Sequence, residues 1–373
     1  MKFTITQEQL LRPLQTVGGI VERRSVYPIL SNFLFRLTPS TLSIIGSDTE
    51  LEMIMHLNID NAEPGETTLP ARKLIDICRA LPAGAPVEIA VKEGRAVIRS
   101  GRSRFTLATL PASEFPELKE PELSLELSLK QGQIKQLIDK TAFSMAHQDV
   151  RYFLNGICLE IGGGQMRSVA TDGHRLALCT LKDGISTDGN EDHRIIIPRK
   201  AVMELARLVD DSDQEVKLQI GDSHIRFLFE ESDTVFSSKL VDGQYPDYLQ
   251  VIPTGNPNEL VADREQLLST LKRTSILSNE KFRSVRLVLG PDGNMLRVVA
   301  HNQEQEEAEE ELEVQYQGDE LEIAFNVHYL IDVLQAVEGS EVRILFGDAN
   351  SSCLVVEELE AFDCRYVIMP MRL

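Results

Sequence analysis

The sequence predicts an α+β fold of three similar domains, on the strength of a recurring helix, a recurring turn and the apolar periodicity between them. Residues 70–81 read PARKLIDICRAL, 198–209 read PRKAVMELARLV and 326–337 read NVHYLIDVLQAV, equally spaced and alignable without a gap. Apolar residues coincide at Leu74, Val202 and Leu330, at Cys78, Ala206 and Leu334, and at Leu81, Val209 and Val337. The i, i+4, i+7 spacing puts them on one face of a helix. An acidic residue recurs at Asp76, Glu204 and Asp332.

Each third carries an earlier helix as well, marked by Leu10, Leu11 and Leu14, by Leu137 and Ile138, and by Leu267, Leu268 and Leu271. Alternating strands precede it, with Phe3 and Ile5 in the first third and Leu125, Leu127 and Leu129 in the second. A short apolar strand such as 194–197 leads into the later helix. A strand-to-turn segment recurs at 42–48, 166–172 and 296–302, ending in Asp48, Asp172 and Asn302. The order predicted per third is strand, helix, three strands, helix, three strands. Pro and Gly accumulate near 116–121 and 246–257, which places linkers there and gives domains 1–122, 123–252 and 253–373.

A chain of 373 residues, 42% hydrophobic and 26% charged, can bury a substantial core. Its net charge of −20, from 38 Lys and Arg against 58 Asp and Glu, excludes a binder that holds nucleic acid by bulk positive charge. The six helical windows 7–17, 70–81, 130–142, 198–209, 263–275 and 326–337 nevertheless carry +6, leaving −26 elsewhere. Two readings follow: ordinary solvated helix surfaces, or a basic inner face within an acidic shell. Arg95, Arg99, Arg102 and Arg104 oppose Glu304, Glu306, Glu307, Glu309, Glu310, Glu311 and Glu313 at the other end of the array. Such runs are solvated faces, or they suit head-to-tail closure between chains.

Five dispersed cysteines without a CxxC pair predict neither a disulfide framework nor a zinc site, and point to a reducing, cytoplasmic compartment. The scattered histidines form no metal motif. Residues 1–11 lack the pattern of an export signal, and no apolar run approaches the ~18 residues that span a membrane.

Several stretches carry a resemblance: RSGRSRF at 99–105, SMAHQDVRY at 144–152, ATDGHRLA at 170–177, SKLVDG at 238–243, YPDY at 245–248, ILSNEKFR at 276–283, EQEEAEE at 304–310 and MPMRL at 369–373. Over its whole length the chain resembles the bacterial sliding clamps, the beta subunits of DNA polymerase III. The resemblance implies three similar DNA-clamp domains in a head-to-tail dimeric ring, helices lining the inside and sheets outside, around duplex DNA of any sequence. It implies a processivity factor without cofactor, which tethers replicative and repair polymerases. Partners would be a second copy, polymerase subunits, the clamp loader and repair proteins, recognised through short peptides with a Gln and Leu or Phe anchors.

Residue by residue, the resemblance puts Arg24, Arg72, Arg79, Gln148, Arg199, Lys200 and Arg207 against DNA, although Arg23 and Tyr27 depart from the family pattern at the first loop. It puts Leu154, Thr171, Gly173, His174, Arg175, Leu176, Pro246, Val251, Ser352, Val367, Met369, Pro370 and Met371 in a peptide groove between repeats two and three. Core packing would also account for the aliphatic members, but two methionines flanking a proline make an adaptable apolar surface. A dimer interface would use Lys73, Arg102, Arg104 and Phe105 on one side and Ile276, Leu277, Glu304, Glu306 and Glu307 on the other.

Helix dimensions test the ring independently. Six helices side by side, ~10 Å apart, close a circle with only ~9 Å of clear bore, whereas twelve leave ~28 Å around a duplex roughly 20 Å wide. Two chains are needed. Asp172 beside His174 could be read as a general acid–base pair. Asp172 shares its turn position with Asp48 and Asn302, however, and no GxSxG or Walker lysine loop accompanies it. Residues 162–164 read as a hairpin turn rather than a phosphate cradle. No catalytic or metal-binding residue is therefore expected, and the alternative function is a peptide-binding scaffold that does not encircle DNA.

Overall fold

The computed structural model describes residues 1–22, 26–118, 122–182, 192–290 and 294–372. The first repeat runs β1 (Lys2–Thr6), α1 (Gln7–Val17), β2 (Asn32–Leu37), β3 (Thr41–Ser47), β4 (Leu51–Asn58), β5 (Gly65–Pro70), α2 (Ala71–Ala80), β6 (Pro86–Lys92), β7 (Arg95–Ser100) and β8 (Ser103–Ala108). The second runs β9 (Leu123–Lys130), α3 (Gln131–Asp139), β10 (Gly156–Gly162), β11 (Gln165–Thr171), β12 (Arg175–Leu181), β13 (His193–Pro198), α4 (Arg199–Leu208), β14 (Glu215–Gly221), β15 (His224–Phe229) and β16 (Thr234–Lys239). The third runs β17 (Asn258–Asp263), α5 (Arg264–Thr274), β18 (Ser284–Leu289), β19 (Met295–His301), β20 (Glu307–Glu313), β21 (Gln315–Gln317), β22 (Leu321–Asn326), α6 (Val327–Ala336), β23 (Glu341–Phe346), β24 (Cys353–Glu358) and β25 (Phe362–Ile368).

All six helices fall inside the windows given by their spacing. The coincident apolar positions are buried except Ala206, which is half-buried. Side chains at the strand–helix corners start several of them: Thr6 and Gln9 form a capping box on α1, and Asp263 accepts from the Gln266 N–H at 2.8 Å on α5. The 163–164 pair turns a two-residue hairpin, both glycines having positive φ, +60° and +77°.

The expectation of three strands between the helices is corrected to at least four. In the first repeat the four are β2 to β5, and β2 carries Phe33, Leu34 and Phe35, consecutive and fully buried. A strand covered on both faces has no period of two to detect.

Strand pairing explains how the repeats are joined. Sheets of four strands, β1-β6-β7-β8 and β20-β19-β18-β22, stay within the first and third repeats. An eight-stranded sheet, β5-β2-β3-β4-β16-β15-β14-β9, continues from the first repeat into the second through the β4–β16 ladder. A nine-stranded sheet, β13-β10-β11-β12-β25-β24-β23-β17-β21, continues from the second into the third through β12–β25. The second repeat thus divides its strands between two sheets, and the chain forms two compact units, residues 1–132 with 203–240 and residues 133–202 with 241–373.

The segment 246–257, expected as a linker, is mostly exposed, but Tyr248 and Ile252 within it are buried. Residues 248–251 form a 3-10 turn, and Tyr245, Tyr248 and Ile252 join Leu154, Leu176, Leu178 and Val367 in one core cluster. Among the described residues no helix is long and apolar enough to cross a membrane, and no group of three or more His, Cys, Asp or Glu could hold a metal ion. All five cysteines are buried and unbridged.

Candidate functional site

The turn between β11 and β12 builds one wall of a cavity. Asp172 accepts the N–H groups of His174 at 2.9 Å and Arg175 at 3.0 Å, and its second oxygen accepts Arg175 Nε at 3.1 Å. Gly173 sits at φ +88°, where any Cβ would also lie 3.0 Å from the Arg151 guanidinium. Thr171 Oγ1 closes the turn by donating to the Arg175 carbonyl at 2.6 Å. These bonds occupy Asp172 structurally, which favours the turn reading over a catalytic one.

Arg175 links this turn to the third repeat. It donates to Asp332 at 2.5 Å and to the Phe143 carbonyl at 2.6 Å, and its guanidinium lies 4.5 Å from the centre of the Tyr329 ring. The end of β25 is tied on by the Met369 N–H, which donates to the His174 carbonyl at 2.9 Å.

Within the 133–202 and 241–373 unit lies an open, mainly apolar cavity of about 330 Å³. Of the residues expected in the groove, Leu154, Thr171, Gly173, His174, Arg175, Leu176, Pro246, Val251, Ser352, Val367 and Met369 all line it. Pro370 and Met371 do not. The Met371 N–H donates instead to the Ala324 carbonyl at 2.7 Å, so the chain turns from the cavity toward β22 one residue after Met369. Arg151, Asp247 and Tyr248 also line the cavity. Their signal was present in the VRY and YPDY stretches already quoted. Arg151 is fixed by a two-pronged bond to Asp149, and that partnership holds the Asp149 carboxyl down at about 2.

The DNA-facing candidates fall in separate places. Arg72, Arg79 and Arg207 line a polar cavity of about 480 Å³ in the other unit, together with the carboxylates Glu22 and Asp76. Arg79 lies 3.8 Å from Asp76 and Arg207 2.6 Å from Glu204, so acids partly offset these charges. Gln148 and Lys200 are exposed, whereas Arg199 is half-buried and donates to the Met145 carbonyl at 3.2 Å. Arg24 lies outside the described residues.

The interface candidates cluster at sheet ends. β8 pairs only with β7, and β20 only with β19, among the described residues. Arg102 and Arg104 are exposed at the first edge, with Phe105 half-buried and Lys73 exposed on α2. Glu304, Glu306 and Glu307 are exposed at the second edge, while Ile276 is 77% exposed and Leu277 half-buried beyond α5. Phe282, 53% exposed, was not singled out, although it lies in the ILSNEKFR stretch.

Repeats that share sheets across their borders, an apolar cavity and oppositely charged open edges define a repeat-built binding scaffold. Three family descriptions match in succession: the DNA polymerase III beta subunit N-terminal domain over 1–119, its central domain over 128–247 and its C-terminal domain over 249–372. The chain is 50% identical to the beta sliding clamp of Pseudomonas aeruginosa, with 100% of both covered. Against the crystal structure of the P. aeruginosa subunit the TM-score is 0.95 at 50% identity, again over 100% of each chain. A P. aeruginosa clamp structure bound to griselimycin gives 0.95 at 49% identity and the same coverage. The chain belongs to the DNA polymerase III beta subunit family, the bacterial sliding clamps.

Proposed function

We propose that two copies of this chain close head to tail around duplex DNA and carry replicative and repair polymerases along it, with no covalent chemistry of their own. The observation that carries the tether is the apolar cavity: one end of β12, the 246–251 segment and the end of β25 converge on a space that suits the Leu or Phe anchors of a short peptide. Arg151, His174 and Arg175 at its polar margin supply donors for the peptide's amides and its Gln.

Ring closure uses the two open edges. An edge strand leaves N–H and C=O groups ready to pair, and β8 with Arg102 and Arg104 is complementary in charge to β20 with its glutamates. Ile276, Phe282 and Phe105 add apolar contact. Arg72, Arg79 and Arg207, with Gln148, Lys200 and Arg24, would touch phosphates without reading bases, which lets a closed ring slide. The arginines' acidic neighbours keep that grip weak. Such a chain works on the chromosome and therefore in the cytoplasm.

Calorimetry tests the tether. A short peptide with a Gln and Leu and Phe anchors should bind with one site per chain, and griselimycin should compete with it. A chain that binds neither would refute the tether.

A further inference from the structure

One side chain of the cavity lining also holds up its wall. Tyr248 opens the 3-10 turn 248–251, and only 2% of it is exposed. Pro246 and Asp247 precede it and Val251 ends the turn, so the whole wall hangs on where Tyr248 sits. Its ring belongs to the core cluster that also holds Cys158 of β10. Two residues further along β10 is Glu160, and the Tyr248 hydroxyl donates to its Oε2 at 2.5 Å.

Glu160 is itself held from both sides. Arg167 of β11 and Arg194 of β13 are its register partners on the neighbouring strands. The Arg194 guanidinium touches Oε1, and Arg167 lies 3.9 Å from Oε2. A carboxylate flanked by two cross-strand arginines makes a bond to a hydroxyl that is stronger than one between neutral groups. Burial, reinforced by Glu160, raises the Tyr248 phenol, which keeps the hydroxyl a donor at ordinary pH.

We infer that Glu160 is a positioning residue of the cavity, fixing the 246–251 wall in its peptide-accepting place through Tyr248 without touching the peptide. This rests on the reading of the cavity as a peptide groove. The chain fraction with the wall in place scales the apparent affinity, so loosening the wall costs association and leaves dissociation from the formed complex unchanged.

The full-length chain and its Glu160→Ala, Tyr248→Phe and Glu160→Gln variants test this with a short peptide carrying a Gln and Leu and Phe anchors. Stopped-flow should show association about tenfold slower for Glu160→Ala and Tyr248→Phe, with dissociation and stoichiometry as in the wild type. Glu160→Gln keeps an acceptor for the hydroxyl and should stay within about threefold. A merely structural loss would lower stoichiometry instead, and that result overturns the inference. Hydrogen exchange on the peptide-free chains gives the independent arm: amides in 248–252 should exchange faster in the first two variants. Exchange equal to wild type overturns the inference, whatever the peptide does. A wild-type chain that binds no peptide overturns the groove reading and Glu160's role in it, while the exchange data still decide whether Glu160 fixes the wall.

Discussion

Glu52 on β4 is 5% exposed and accepts the Leu118 N–H at 3.0 Å, and burial pushes its carboxyl up to about 6. A carboxyl raised above its ordinary value of 4.5 favours the protonated fold. Its stabilising contribution is complete below about pH 4.5 and is lost as pH rises through about 6, a change of roughly 2 kcal/mol. Glu52→Gln should therefore unfold at higher denaturant than wild type at pH 8, with the difference shrinking toward pH 4.5. Equal midpoints at pH 8 would show that Glu52 carries no such strain. At this scale local chemistry was legible and long-range partnership was not. Asp48, Asp172 and Asn302 recur at one turn position in the sequence, and each bonds amides within a few residues as Asx side chains do: Asp48 with Glu50 and Leu51, Asp172 with His174 and Arg175, and Asn302 with Glu306. Lys140 adds only to the charge of the 130–142 window in the sequence. It is 1% exposed and bonds Glu357 at 2.9 Å, a partner more than two hundred residues away that no local pattern announces.

Among elements, the helices were legible because one buried stripe imposes its period, whereas strands buried on both faces were not. The 246–257 segment hid its core members for a related reason: a 3-10 turn between prolines has no period, yet Tyr248 is core. The C-terminal strand carries a prediction of its own. Its end is held by the bonds of Met369 to His174 and of Met371 to Ala324, and of residues 369–371 Met369 alone lines the cavity. Deleting residues 369–373 should weaken peptide binding about tenfold or more in calorimetry and leave the dimer intact in sedimentation. Unchanged affinity would contradict the placement of Met369 in the binding wall. Dissociation into monomers would show that the tail supports the interface instead.

For the whole molecule, the repeat was legible from three aligned helices, but the sharing of sheets was not. The β4–β16 and β12–β25 ladders join strands from different repeats, and periodicity says nothing about which strand a neighbour will be. Each ladder ties two repeats together inside one of the two compact units. Replacing Ile276 with Ala and Leu277 with Lys should give monomers in sedimentation at concentrations where wild type is dimeric, because it removes apolar contact and adds a charge to bury. A variant that stays dimeric would move the interface elsewhere.

Enclosure of DNA predicts a topological result that charge alone cannot produce. A chain of net charge −20 has little general attraction for DNA. After loading onto a closed circular duplex and washing at raised salt, the protein should remain bound while the circle is intact and be lost after one double-strand cut. Equal retention on cut and intact circles, or loss from both, would contradict the ring.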